Sequence, residues 1–165
     1  MDFYRLKYTL ALCLTRSAAR RAEYIRKKNI FRNMGKDCGV MLRVIPLYPQ
    51  LISLQDNVWI ASNVTFVTHD ISNIMLNHLY HTSEFKEKIG CIEVGNNCYI
   101  GAGAIIMPDV KIGDNTVIGA GCIVSKDLEG NGVYVGVPAR KIMSFDEYVE
   151  KNRRRSAGGP KIIRE

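Results

Sequence analysis

The sequence predicts an all-β domain, a parallel β-helix of hexapeptide repeats, with a helix before it and a short helix after it. Two observations lead to this fold class: a β-branched aliphatic residue recurs at every sixth position from 94 to 124, and a mostly small residue follows it four positions later. Six residues turn an α-helix by about 600°, and a flat sheet repeats every two residues, so neither explains this period. A short strand followed by a corner does explain it, and three such units, about 18 residues, complete one triangular coil.

The repeat is clearest in residues 94–129. The first positions of six consecutive blocks are Val94, Ile100, Ile106, Ile112, Ile118 and Val124. The fifth positions are Cys98, Ala104, Val110, Thr116, Cys122 and Leu128. Glycine fills the second position in four of the six blocks and tolerates the backbone angles of a tight corner. We expect the aliphatic residue to point into a prism, with the small residue packed beside it.

The same pattern continues upstream, but in a different register. Blocks begin at Met34 and Val40, and again at Leu54, Ile60 and Phe66. Coils are therefore expected over residues 34–45, 54–71, 94–111 and 112–129, about four in all. A β-sandwich of short strands is the alternative, and the regularity of the hexads disfavours it.

Two insertions explain the changes of register. Residues 46–51 contain two prolines and are predicted to form a loop between coils. Residues 72–91 form a longer loop that leaves the coil soon after His69. Long loops on a compact scaffold often carry function.

The two ends of the chain are predicted to be helical. Residues 3–28 contain neither proline nor glycine, and Leu6, Leu10 and Leu14 are spaced by four. We expect this helix to pack on or beside the first coil; a basic amphipathic segment on a membrane surface is the alternative. Near the other end, Ser144 and Glu147 have the spacing of a capping box, which predicts a short helix to about Asn152.

These boundaries divide the chain into three parts. Residues 1–30 form an N-terminal helical segment, and residues 31–143 form the β-helix domain with its protruding loop 72–91. Residues 144–165 form a short helix and a basic tail that is expected to be flexible.

The net charge of +7 is concentrated at the ends. Residues 1–30 carry +6 and residues 140–165 carry +4, whereas residues 31–139 carry −3. This distribution argues against a nucleic-acid groove across the domain, but it allows basic ends to meet phosphates or an anionic membrane. Five cysteines without a C-x-x-C pair favour reduced thiols over a structural zinc site. With a charged N-terminus and no membrane-spanning apolar run, a cytoplasmic location is expected.

The chain resembles the hexapeptide-repeat sugar O-acetyltransferases, which include galactoside, maltose and capsular-polysaccharide acetyltransferases. The resemblance covers about residues 30–142 and rests on NVWIASNVTFVTHD at 57–70, the hexads at 95–127, and GVPARKI at 136–142. It implies a left-handed β-helix, an exception to the usual right-handed crossover. It also implies a homotrimer with active sites between subunits, and transfer of an acetyl group from acetyl-CoA to a hydroxyl of a sugar or a cell-surface polysaccharide precursor.

His69 is the candidate general base. It ends a repeat strand where the chain leaves the coil, so we expect it at a rim rather than inside the prism. An imidazole is well matched to removing a hydroxyl proton near neutral pH. The stretch from Val64 to His69 also matches the catalytic segment of the family, whereas the alternative is a surface histidine. His78 and His81 are candidates for acceptor contact or simple solvated residues, and the spacing of the three histidines disfavours a metal.

The resemblance also implies an acetyl-CoA site. The pantetheine arm would lie along Ala102 and Ala120, one coil apart, with Tyr99 at the thiol end, where many relatives have tryptophan. Ser125 and Lys126 would lie near the nucleotide phosphates, and Arg140 would bind a phosphate. A solvated basic edge is the alternative for these polar residues.

One position departs from the family pattern. Galactoside-type relatives have an asparagine that meets the acceptor sugar, where this chain has Leu42 beside Arg43. We therefore expect these two residues to shape a different acceptor pocket. A xenobiotic or serine acetyltransferase and a non-catalytic β-helical assembly module stay open as alternatives.

Overall fold

A computed structural model describes residues 3–157 of the chain. The α-helices are α1 (Phe3–Leu14), α2 (Ala18–Lys27), α3 (Ser72–Tyr80) and α4 (Phe145–Ala157), and a 3₁₀ helix covers Pro49–Leu51. The strands are β1 (Asn33–Met34), β2 (Gly39–Val40), β3 (Ile52–Leu54), β4 (Val58–Ile60), β5 (Thr65–Phe66), β6 (His69–Asp70), β7 (Lys88–Ile89), β8 (Ile92–Val94), β9 (Cys98–Ile100), β10 (Ile105–Ile106), β11 (Val110–Ile112), β12 (Thr116–Ile118), β13 (Ile123–Val124), β14 (Gly132–Val135) and β15 (Arg140–Ser144).

Most of these strands form three parallel sheets. Sheet 1 has the order β1-β3-β8-β11, sheet 2 the order β2-β4-β9-β12-β14, and sheet 3 the order β5-β10-β13. β15 adds to sheet 2 in the antiparallel direction. From β8 to β13 the chain visits sheets 1, 2 and 3 in turn, twice, so it winds as a three-sided solenoid. The predicted parallel sheets, with helices at both ends, are confirmed.

The strand register measures the length of each coil. Val110 pairs with Ile92, and Ile123 with Ile105, so each of these coils is three hexads long. Ile92 pairs directly with Ile52, so the second coil contains a long insertion besides its three hexads. Ser53 pairs with Asn33, so the first coil exceeds three hexads by only two positions. The predicted insertions at 46–51 and 72–91 account for the extra residues in the first and second coils. A fifth turn begins at Leu128, which bridges Ile112, so the solenoid extends beyond the four coils expected.

The interior is a column of aliphatic side chains. All six predicted first-position residues between 94 and 124 are at most 1% exposed. The fifth-position residues, from Cys98 to Leu128, are buried as well. Because each apolar side chain that leaves water stabilises the fold by about 1.5–3 kcal/mol, this column supplies the main driving force for stacking.

Asparagines line the corner between sheets 1 and 2. Asn57, Asn97, Asn115 and Asn131 all have positive φ, between 46° and 56°. The side-chain amide of each of the first three donates to the side-chain oxygen of the next, at 3.0, 3.0 and 2.9 Å. We call these four residues the asparagine corner. Asparagine tolerates this left-handed conformation better than most other residues.

The N-terminal segment forms two helices rather than the single helix predicted over residues 3–28. Ser17 has extended backbone angles, and its side chain accepts a hydrogen bond from the Arg20 N–H as the N-cap of α2. Arg21 is fully buried and donates to the carbonyl oxygens of Val40, at 2.8 Å, and of Thr15. In a continuous helix, the Thr15 carbonyl would accept a backbone hydrogen bond. Here it accepts the bond from the Arg21 guanidinium instead, and the helix breaks at this point.

α1 packs beside the first coil, as expected, but with a different face. Leu12 is fully buried, and the Arg5 Nε donates to the Ile45 carbonyl at 2.7 Å. Leu6, Leu10 and Leu14, the predicted apolar stripe, are 39%, 55% and 83% exposed.

The predicted capping box opens α4. The Glu147 N–H donates to the Ser144 Oγ at 3.2 Å, and the Ser144 N–H donates to the Glu147 Oε2 at 2.7 Å. The helix reaches Ala157, one turn beyond the predicted end, and residues 158–165 of the expected tail lie outside the described residues. Between residues 3 and 157, no helix combines the length and apolar character needed to span a bilayer.

Candidate active site

His69 lies where sheet 3 gives way to sheet 1 in the second coil. The preceding Thr68 is buried, and its Oγ1 donates to the Leu47 carbonyl of the first coil at 2.5 Å. The Gly90 N–H donates to the Thr68 carbonyl at 2.9 Å. His69 itself pairs with Ile89 across the antiparallel strands β6 and β7. The half-buried imidazole therefore lies at the base of residues 72–91, which we call the excursion. Backbone contacts hold it on both sides.

The excursion itself is ordered. It contains α3, and the Asn77 side chain closes its far end by donating to the Phe85 carbonyl at 2.9 Å and accepting from the Phe85 N–H at 3.1 Å. His78 lies on α3 and His81 caps it with a φ of 51°, and both are exposed. Within residues 3–157, no three histidine, cysteine or acidic side chains are grouped to hold a metal ion.

The sequence analysis missed two residues: Tyr48, which lies beside His69, and Glu87, which contacts Tyr48. The Tyr48 ring contacts the His69 ring edge-on, with centroids 5.6 Å apart. The Tyr48 hydroxyl donates to the Glu87 Oε2 at 3.2 Å. Burial, and then Glu87, raise the pKa of Tyr48, which keeps the hydroxyl protonated and able to donate. The only trace in the sequence was an aromatic residue between Pro46 and Pro49.

The Nδ1 of His69 is buried and has no hydrogen-bond partner among the described residues, and the same holds for the Oδ1 of Asn73. Buried polar atoms are rarely left unpaired, because each costs about 1–3 kcal/mol. The neighbouring Asp70 forms no hydrogen bond with the Nδ1 of His69. Its carboxylate accepts a hydrogen bond from the Ser72 N–H at 2.8 Å, which lowers the pKa of Asp70. Because Nδ1 is shielded from solvent, a substrate can meet this ring only through its other atoms.

A second corner, between sheets 2 and 3, is lined by small residues. Ala102 and Ala120 are exposed there one coil apart, and the Gly121 N–H donates to the Ala102 carbonyl at 2.8 Å. Ser62 takes the same place in the second coil, where its carbonyl accepts from the Gly103 N–H at 2.9 Å. A Cβ built on Gly121 would meet nothing within 4 Å, so the backbone along this edge is open. We call Ser62, Ala102 and Ala120 the small-residue corner.

The other predicted site residues divide between these places. Arg140 follows the small-residue corner at the start of β15 and is exposed, with its Nη1 donating to the Ala139 carbonyl at 3.1 Å. Ser125 and Lys126 are exposed at the corner of His69, two coils further along, because Val124, Ile106 and Phe66 are in register. Tyr99 lies on the outer face of sheet 2, in register with Trp59, and each is 45% exposed.

A single chain thus does not bring the predicted site residues into one pocket. His69, Ser125 and Lys126 lie along one edge of sheet 3, whereas Ala102, Ala120 and Arg140 lie along the other.

The expectation for Leu42 is wrong. The Leu42 side chain is buried in the hydrophobic core, so it offers no surface to an acceptor. The exposed Arg43 instead holds α1, because its Nη1 donates to the Cys13 carbonyl at 3.1 Å.

Comparison with known proteins assigns the architecture to a family. The model of the bacterial transferase hexapeptide family, which describes six repeats, matches residues 92–126, the two most regular coils. Protein CapG of Staphylococcus aureus is 40% identical over 130 residues, which cover 77% of this chain and 73% of CapG. The putative acetyltransferase YvoF of Bacillus subtilis (strain 168) is 33% identical over 126 residues, which cover 75% of this chain and 66% of YvoF.

A solved structure agrees with these relatives. The maltose O-acetyltransferase of Clostridium difficile 630 matches with a TM-score of 0.61 and 28% identity, covering 86% of this chain and 84% of that one. The family model describes transferases, and YvoF and the Clostridium difficile enzyme are named as acetyltransferases. The chain belongs to the bacterial hexapeptide-repeat transferase family and is an acyltransferase.

Proposed function

We propose that this protein is an acetyl-CoA-dependent O-acetyltransferase that acts on a hydroxyl of a sugar or a cell-surface polysaccharide precursor, with His69 as the general base. The observation that carries the proposal is the His69 ring, held at the rim of the solenoid with a buried Nδ1 that no described residue satisfies. The maltose O-acetyltransferase supports a sugar as the acceptor. We infer the left-handed winding from the family resemblance.

The small-residue corner fits the acyl donor. Acetyl-CoA supplies an acetyl group activated as a thioester at the end of a long, thin pantetheine arm. The exposed Ala102 and Ala120 leave room for such an arm against an open backbone edge. Arg140, near the same corner, would bind a phosphate through charge-assisted hydrogen bonds, and Tyr99 would flank the thiol end. Ser125 and Lys126 lie on the edge of His69, so they would meet the phosphates of a donor that is bound to the neighbouring subunit.

We further propose a homotrimer in which two subunits complete each active site. One hexad of strand and corner, roughly 20 Å of extended chain, separates the corner of His69 from the small-residue corner. A base on one edge therefore cannot reach a donor bound along the other edge of the same chain. In a trimer, His69 of one subunit can face the small-residue corner of the next.

The chemistry assigned to His69 is proton transfer. Its imidazole accepts the proton of the acceptor hydroxyl while the oxygen forms a bond to the acetyl carbon, and it returns the proton to the departing thiolate sulfur. Tyr48 fixes the ring orientation during both transfers. A backbone N–H would stabilise the negative charge that develops on the carbonyl oxygen.

His69→Ala and His69→Asn test the assignment. Loss of a general base should lower kcat by about 10²–10⁴-fold. Acetyl-CoA binding should persist, and a thermal shift measures it. A ligand at about 100 times its Kd should still add about 2.7 kcal/mol to the free energy of unfolding. His78→Ala and His81→Ala are the matched histidine variants, for which an acceptor contact predicts a raised acceptor KM at unchanged kcat. Retained turnover in both His69 variants would refute the assignment.

An acceptor screen tests the substrate class. Release of free thiol from acetyl-CoA is measured with nucleotide sugars, lipid-linked oligosaccharides, serine and small xenobiotic alcohols. A sugar hydroxyl should give the highest kcat/KM. A higher value for serine or a xenobiotic would replace the proposed acceptor, and absence of thiol release with every acceptor would favour a non-catalytic assembly module.

A further inference from the structure

The outward face of α1 is a continuous apolar stripe. Phe3, Leu10 and Leu14 are 76%, 55% and 83% exposed, and Leu6 beside them is 39% exposed. Phe3, Leu6, Leu10 and Leu14 are spaced by three or four residues, so they share one face of the helix, and Lys7 lies beside them. The opposite face carries the fully buried Leu12. Scattered exposed apolar residues are ordinary, but a contiguous stripe indicates an interaction surface.

The same segment is the most basic part of the chain. Residues 1–30 hold eight of the 23 basic side chains and only two of the 16 acidic ones. One of those two, Glu23, is already paired with Arg26 at 2.6 Å and with Lys27 at 3.3 Å. Lys7, Arg16 and Arg20 form no ion pair within the part of the chain that the structure describes. Lys7 in α1, and Arg16 and Arg20 just after it in the chain, thus carry uncompensated positive charge.

We propose that α1 lies on an anionic lipid surface, with its apolar stripe among the acyl chains and Lys7, Arg16 and Arg20 at the headgroup phosphates. An interfacial helix needs an apolar face and a basic flank, and α1 has both. Its 12 residues extend about 18 Å, which suits a helix lying in the plane of the interface.

The charges favour a lipid surface over a second copy of the chain. Two copies docked through α1 would bring together two segments that each carry +6, and they would bury Lys7 inside an apolar contact. At a membrane, the aliphatic stem of Lys7 can lie among the apolar side chains while its ammonium group reaches the phosphates. Anionic headgroups also attract the same charges that repel a second copy.

Vesicle sedimentation of the full chain tests the proposal. The probes are phosphatidylcholine vesicles and the same vesicles with about 30% phosphatidylserine. The protein should sediment with the anionic vesicles at least tenfold more strongly, and raised salt should weaken the binding. Leu14→Glu should lower the vesicle affinity about tenfold, because it places a charge in the stripe. Ile142→Glu is the matched control: Ile142 is 53% exposed on β15, outside α1, so its affinity should not change.

Three results would overturn the proposal: no sedimentation of the wild-type chain, equal affinity for both vesicle types, or an unchanged affinity of Leu14→Glu. Sedimentation velocity without lipid tests whether a second copy of the chain covers the stripe instead. A lower oligomeric state in Leu14→Glu than in the wild-type chain would identify a subunit contact and would also overturn the proposal. If Leu14→Glu loses its cooperative thermal transition, Leu14→Ser serves as the second variant. These measurements do not depend on acetyl transfer.

Discussion

The ring of Tyr48 meets the ring of His69 edge-on, with centroids 5.6 Å apart and ring planes at 87°. Tyr48 comes from the corner of the first coil, where its backbone has a φ of 49°. Its hydroxyl is held by Glu87, on the returning side of the excursion. The first coil thus supplies the ring that contacts the imidazole, and the returning side of the excursion holds that ring through its hydroxyl.

Replacing Tyr48 by leucine should lower kcat about tenfold, because a catalytic ring without its aromatic neighbour samples unproductive orientations. The acceptor KM should change little, since Tyr48 touches His69 rather than the acceptor. Steady-state kinetics at saturating acetyl-CoA separate the two parameters.

Tyr48→Phe is the matched control, because it keeps the ring contact and removes only the hydrogen bond to Glu87. Its kcat should fall less than that of Tyr48→Leu, and Glu87→Ala, which removes the acceptor of that hydrogen bond, should behave like Tyr48→Phe. A raised acceptor KM at normal kcat in Tyr48→Leu would show instead that Tyr48 contacts the acceptor.

The solenoid could be predicted because its coils repeat one local solution. Val94, Ile106 and Ile118 are each buried at the equivalent position of a hexad, so the same residue type recurs there and the sequence shows the repeat. The asparagine corner was missed, although asparagine precedes a strand of sheet 2 in four coils. That regularity was a usable signal for a left-handed backbone position.

The surroundings of His69 could not be predicted in this way. Tyr48 and Glu87 stand far before and far after His69 in the chain, and neither belongs to the repeat. Their contact depends on the paths of two insertions, 46–51 and 72–91, which the hexapeptide repeat does not predict. Likewise, the face by which α1 packs is set by hydrogen bonds such as Arg5 to the Ile45 carbonyl, and not by the spacing of its leucines.

The asparagine corner should be a measurable source of stability. Asn97 has a φ of 55° and exchanges side-chain hydrogen bonds with Asn57 and Asn115. Asn97→Ala should lower the free energy of unfolding by about 2–3 kcal/mol, from the cost of a left-handed alanine and the loss of two exposed hydrogen bonds. Denaturant unfolding measures the change.

Asn97→Gly separates these two contributions. Glycine adopts the positive φ without strain but makes no side-chain hydrogen bonds. It should recover about half of the loss seen with alanine. Equal stabilities for the two variants would mean that the positive φ adds no free-energy cost for alanine. The side-chain hydrogen bonds of the asparagine corner would then account for the whole loss.

The capping box of α4 should make the stability depend on pH. The hydrogen bonds from Ser144 lower the pKa of Glu147 below its usual value of 4.5. Since the pKa is lower in the folded state, the stabilisation is present above pH 4.5 and is lost as the pH falls through the folded-state value. Glu147→Gln should therefore lower the denaturant midpoint at pH 7 and have a smaller effect at pH 3. Glu84→Gln, on the exposed excursion, is the control, and a pH-independent effect of Glu147→Gln would contradict the assignment.

The buried thiol of Cys98 should set an upper pH limit on stability. Burial, with a smaller contribution from Asp114, raises the pKa of Cys98 from 9.0 to about 11, although the hydrogen bonds with Thr116 oppose the rise. Because the folded state holds this proton more tightly, the stabilisation is complete below pH 9 and is lost as the pH rises towards 11. The loss amounts to about 2 kcal/mol by pH 11, where half of the folded-state thiols are ionised. Unfolding free energies measured between pH 8 and pH 11 should thus fall less steeply in Cys98→Ala than in the wild-type chain, whatever its absolute stability. Cys13→Ala, which removes an exposed thiol, should keep the wild-type slope, and an unchanged slope in Cys98→Ala would show that other groups control the alkaline limit.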